Sequence, residues 1–82
     1  MRKVTHPQQD KLKIKLGKKI GSLIFASGYK SPYEFWLEHG GDGLSRSNLN
    51  YIINGKGDPK ISTLKVISDG LNIELSELLK DI

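Results

Sequence analysis

Apolar residues in this 82-residue chain recur at intervals of three and four, in five short runs, and nowhere alternate over any length. A period near 3.6 puts such residues on one face of a helix, whereas a half-buried strand needs a period of two. Leu12, Leu16, Ile20, Leu23 and Ile24 form the first run, which predicts a helix from about residue 9 to Ser27, stopped by Gly28. Phe35, Trp36 and Leu37 mark a second helix, and Leu49, Ile52 and Ile53 a third. Leu64, Val66 and Ile67 mark a fourth, and Leu75, Leu78 and Leu79 a short fifth. The expected fold class is all-α: a compact five-helix domain with loops short enough for one bundle.

The punctuation between the runs sharpens these bounds. Ser31-Pro32-Tyr33-Glu34 is a helix start: serine caps a free N–H, proline at the first position loses no bond, and Glu34 can close a capping box back to Ser31. That second helix should stop at Gly40-Gly41, and a glycine-rich turn, interrupted by Asp42, runs to Gly43. Ser45 caps the third helix, which Asn54-Gly55 ends, with Pro59 beyond it. The fourth helix is expected from Ser62 to Asp69 with Gly70 after it, and the fifth from Leu75 to Asp81. Gly17 and Gly21 weaken the first helix by up to ~1 kcal/mol each relative to alanine, and close helix packing is one reason to tolerate them.

The length allows one domain, read as a flexible N-terminal arm at 1–8 and a folded unit at 9–82. With no cysteine, disulfides and cysteine-ligated zinc are excluded. No apolar run approaches the roughly 20 residues needed to span a bilayer, and the charged start shows no secretory h-region, so a cytoplasmic, nucleoid-associated location is expected. Residues 1–30 hold eight Lys/Arg (Arg2, Lys3, Lys11, Lys13, Lys15, Lys18, Lys19, Lys30) against Asp10, a net +7. Residues 61–82 hold two lysines against four acids, a net −2. Lys11, Lys15 and Lys18 share one face of the first helix, either a solvated lysine-rich face or an approach for a polyanion.

Catalytic chemistry has little to stand on. His6 and His39 lack a ligand-spaced partner; His39 with Asp42 would supply only two ligands. No nucleophile elbow is present, and Gly-Gly-Asp-Gly lacks the lysine of a phosphate-binding loop. Phe35 and Trp36 read as core, since a single-strand platform would interleave aromatics with bases on one basic face. No enzyme activity, cofactor or metal is expected.

Leu16-Gly-Lys-Lys-Ile-Gly-Ser-Leu23, the Ser31-Pro-Tyr-Glu-Phe35 start, Ser45 to Pro59 and Leu64 to Leu79 together resemble the XRE-type helix-turn-helix family, which includes lambda-type phage repressors and Cro proteins. The likeness runs over roughly residues 12–80. It implies a five-helix lambda-repressor-like domain that binds double-stranded DNA as a transcriptional regulator, usually as a homodimer. Carried onto this chain, it puts base reading on Arg46, Ser47 and Asn50, with Asn48 and Tyr51 as further candidates. Asn54, Gly55 and Lys56 would anchor the DNA backbone, with the start of the second helix near Ser31. This chemistry suits DNA: a helix start offers N–H groups and a positive dipole end to phosphates. Arginine fits guanine O6/N7, and asparagine fits adenine N6/N7. Asn48 and Asn50 cannot face the same way, so one of them reads.

The chain departs from the family at several positions. Pro32 stands where a glutamine usually touches a phosphate and braces the third helix, so that contact is either gone or passed to Tyr33 or Lys30. Trp36 replaces a small residue, and the turn before the third helix is about three residues longer than usual. Ile24 and Ile53 replace a common Arg–Glu pair and are expected to touch, since a buried ion pair can be exchanged for apolar residues at little net cost. Two other functions stay open: an antitoxin with a protein partner, and a protein-interaction module that has lost DNA binding. A dimer would have to use the fifth helix, with Leu75, Leu78, Leu79 and Ile82 as candidates; Leu75 and Leu78 read rather as core, and exposure of Leu79 and Ile82 would mark a seam.

Overall fold

The computed structural model describes residues 7–41 and 43–82, with side chains from Lys11 onward. Five helices follow in order: α1 (Pro7–Ala26), α2 (Pro32–His39), α3 (Arg46–Ile53), α4 (Ile61–Gly70) and α5 (Leu75–Leu79). The described residues contain no strand, so the fold is all-α. Residues 1–6 of the expected arm lie outside the described residues. Pro7 and Gln8, assigned to that arm from sequence, belong to α1 instead, because proline needs no N–H partner at a helix start.

Leu16, Ile20 and Ile24 of α1 meet Phe35, Leu44, Leu49, Ile52, Leu64, Ile67, Leu71 and Leu78 in one core. Leu12, expected in the same stripe, is 45% exposed: it lies a full turn before Leu16, where the core begins. α1 packs mainly on α3 and also touches α2 and α5; α2 lies against α3 and α4. The tightest crossing is at Gly17, where an added Cβ would stand 2.4 Å from the Ile52 carbonyl oxygen and 2.5 Å from that of Ile53. Gly21 is looser, its nearest such contact being Ile53 Cγ2 at 3.6 Å. Ile24 is wholly buried, and Ile53 packs half-buried against the cluster that contains it.

Helix ends are set by local chemistry. At the end of α1 the Gly28 N–H donates to Phe25 O and the Tyr29 N–H to Ile24 O, with Gly28 at φ 99°. α4 ends in the same pattern but one residue later than its sequence suggests. Gly70 is its last helical residue, and Asn72, at φ 61°, takes the left-handed position, with Asn72 N donating to Asp69 O and Ile73 N to Ser68 O. Asparagine tolerates that conformation, which is why the glycine was not the stop.

α5 stops at Leu79, short of the expected Asp81. Lys19 of α1 reaches its end, Nζ donating to Lys80 O and to Glu77 O at 2.7 Å each, the latter shared with the Lys80 N–H. Leu75, Leu79 and Ile82 pack half-buried onto the domain's own core, so the expected exposed dimer seam is not formed by Leu79 and Ile82. No helix among the described residues is long and apolar enough to cross a membrane.

Candidate nucleic-acid interface

The start of α3 forms as its sequence dictates. Ser45 is the N-cap, its Oγ accepting from Asn48 N at 3.1 Å. Leu49 and Ile52 anchor one side of the helix in the core, which leaves the opposite side to solvent. At the far end Gly55 N–H donates to Ile52 O and Lys56 N–H to Tyr51 O, with Gly55 at φ 73°. This left-handed residue turns the chain back so that Lys56 lies beside the last turn of α3.

The solvent side carries the sequence-selected residues. Arg46, Ser47, Asn50, Tyr51, Asn54 and Lys56 are exposed. Ser47, Asn50, Tyr51, Asn54 and Lys56 line a single shallow concavity of about 260 Å³. Asn48 is turned away from it. Half-buried, it lines a second hollow of about 280 Å³ with Gly43, Ser45, Asp58, Pro59, Lys60 and Thr63, between α3 and the start of α4. The two asparagines therefore divide as helical geometry requires. Gly55, half-buried, packs against Ile14 of α1.

The start of α3 is electropositive. Its first turn holds no acid, and Arg46 is its only charged residue, so the positive end of the helix dipole is unopposed. α2 is different. Glu34 sits in its first turn, and Pro32 has no N–H to offer. The Ser31 Oγ accepts from Glu34 N at 3.4 Å, while Glu34 Oε1 takes the Lys30 N–H at 3.0 Å. The capping box expected to close on Ser31 itself thus closes one residue earlier, on Lys30. Ser31 is half-buried, and the helix-2 start has little left for an anion beyond the exposed Lys30 side chain.

Gly43 of the lengthened turn lines the second hollow and not the α3 concavity. Gly41 and Leu44 bond each other twice, N to O at 3.1 Å in both directions, and pinch the excursion shut. Gly43 leans toward Val66 of α4, on the side of the second hollow. Trp36 holds the base of the turn: its Nε1–H donates to Leu44 O at 2.9 Å. The indole lies over Gly40, where a Cβ would come within 2.1 Å of Trp36 Cδ1. Trp36, read from sequence as simple core, is a half-buried brace between α2 and the turn.

Tyr33, one of the two candidates for the phosphate contact that Pro32 cannot make, is exposed and carries a further contact. Its ring lies 5.9 Å from that of Trp36, with planes 25° apart, and the Arg46 guanidinium sits 4.4 Å from its centre. The i, i+3 spacing of Tyr33 and Trp36 signals their contact, but nothing local signals Arg46, thirteen residues on.

His39, weighed with Asp42 as a metal pair, is engaged elsewhere. Tyr29 Oη contacts Glu38 Oε2 and lies 2.9 Å from His39 Nε2, and the His39 ring lies 4.9 Å from Phe35. The Glu38 contact and partial burial push the Tyr29 phenol above its usual value. Asp42 lies outside the described residues, and no cluster of three metal-ligating side chains occurs among those described.

A family model for the helix-turn-helix matches residues 41–78. This segment belongs to the helix-turn-helix family. The match covers α3, α4 and α5 and begins after α2, the element where Pro32 and Trp36 depart from the XRE-type pattern. No curated protein and no solved structure matches the chain.

Proposed function

We propose that this chain is a sequence-specific regulator that binds duplex DNA by placing the first turn of α3 in the major groove. One observation carries the reading: an acid-free helix start leads onto a concave face where Ser47, Asn50, Tyr51, Asn54 and Lys56 are exposed together. Arg46 would read a guanine edge and Asn50 an adenine edge, the two bidentate pairings the major groove offers these side chains. Ser47 and Tyr51 flank them. The Asn54 and Lys56 side chains supply the phosphate contacts that fix register, and Gly55, its N–H already bonded to Ile52 O, contributes the turn between them. With Ser31 capped and Glu34 beside it, direct phosphate contact near the start of α2 would fall to Lys30, just before the helix, or to the exposed Tyr33.

The test is binding to duplexes selected from a random pool, followed across a salt series. Affinity should fall steeply with salt, with a slope of about −0.9 per phosphate neutralised. Arg46→Ala should cost about 1–3 kcal/mol and relax one base position, whereas Lys56→Ala should weaken all duplexes alike. Salt-insensitive or absent duplex binding would overturn the reading.

Such a result would instead favour a protein-interaction module or an antitoxin-like partner surface. That second reading draws on Phe25 (55% exposed) and Leu37 (58%), apolar side chains the core leaves uncovered.

A further inference from the structure

Arg46 is not presented to solvent alone. Its guanidinium lies over Tyr33, Tyr33 lies along Trp36, and Trp36 is hydrogen-bonded to the Leu44 carbonyl two residues before Arg46. The chain of contacts closes on itself through two helices and the turn between them. An arginine side chain has many rotamers when free, and a contact that fixes it before binding removes part of the ordering cost from the bound state. The ring that fixes Arg46 is itself 43% exposed and fills no core space, so packing does not account for its place.

We propose that Tyr33 is a positioning residue for base selection, holding Arg46 so that α2 sets which base pair the arginine reads. This rests on the reading of α3 as the base-reading helix. A guanidinium lying on a ring face keeps its N–H groups directed outward in its own plane. In that pose it can offer two parallel donors to the acceptor edge of a guanine. The pose also explains why the turn can be long without loosening the reader: Trp36 ties the turn to the same stack.

The experiment compares wild type, Tyr33→Phe, Tyr33→Leu, Tyr33→Gln and Arg46→Ala on the selected duplex, on its single-base-pair variants and on an unrelated duplex. All are measured at one salt concentration and below the melting temperature of every variant. Tyr33→Phe should behave as wild type. Tyr33→Leu and Tyr33→Gln should lose about two- to fivefold in discrimination, the equivalent of an exposed cation–π contact, at the base pair where Arg46→Ala loses it. Affinity for the unrelated duplex should not change, and in an Arg46→Ala background Tyr33→Leu should add nothing. Wild-type discrimination by both Tyr33→Leu and Tyr33→Gln overturns the proposal. So does an equal loss on every duplex, which would make Tyr33 a phosphate contact. If the wild type itself fails to bind duplex DNA, the regulator reading fails and this assignment falls with it.

Discussion

Gly17→Ala tests how closely α1 and α3 cross. Alanine is the better helix former, by up to ~1 kcal/mol, so an open site would gain stability. At this site the new methyl would stand 2.4 Å and 2.5 Å from two backbone carbonyl oxygens of α3. A carbon and a carbonyl oxygen rest at about 3.3 Å or more, so the helices must part by roughly 0.8 Å. A gap of that size forfeits about a quarter to a half of the dispersion attraction at each contact it opens. Backbone atoms cannot swing aside, so the cost belongs at the upper end of the overpacking range, about 3 kcal/mol. Less the propensity gain, the net loss is about 2 kcal/mol, or a fall in Tm of roughly 8–16 °C for a domain of this size. Urea and thermal unfolding followed by circular dichroism would measure it. Gly21→Ala is the internal control, because its methyl would meet only Ile53 Cγ2 at 3.6 Å; it should hold or raise stability by up to ~1 kcal/mol. A Gly17→Ala protein that melts at or above wild type would refute the close crossing.

Gly40→Ala should destabilise by about 1–3 kcal/mol and shift Trp36 fluorescence, because the methyl displaces the indole that lies over it. Lys19→Ala should fray α5, seen as faster amide exchange there, with a loss of about 0.3–1 kcal/mol for a cation at a helix C-terminus. Tyr29 should ionise above the ordinary phenol value near 10, and Glu38→Gln should lower its midpoint in a spectroscopic pH titration. Because its folded value is raised, the stability Tyr29 contributes is present below about pH 10 and is lost as pH rises through the folded midpoint.

The elements were legible because their signals are local. Ser31, Ser45, Gly28 and Gly55 act within one turn of their own position, and the structure uses each as chain chemistry suggests. The residues of the α3 face were legible for the same reason, since a helix anchored by Leu49 and Ile52 must expose Ser47, Asn50 and Tyr51. What escaped depends on distance in sequence. Leu12 follows the α1 period, yet the core it would join starts only at Leu16. Leu79 and Ile82 found their apolar partners within the same chain. The Arg46–Tyr33 contact and the reach of Lys19 to residues near 80 join segments whose nearness follows only from the assembled fold.

Because Gly41 and Leu44 are bonded to each other, the span that α2 and α3 perceive between them ends at that pair, whatever lies at the tip. The chain is thus closed across that pair before α3 begins. Loop closure grows only slowly with length, by about 0.6 kcal/mol per doubling. The tip can therefore be lengthened, shortened or made to carry a reporter group while the aim of α3 stays fixed. Length variation at this point would add surface without changing how α3 is held.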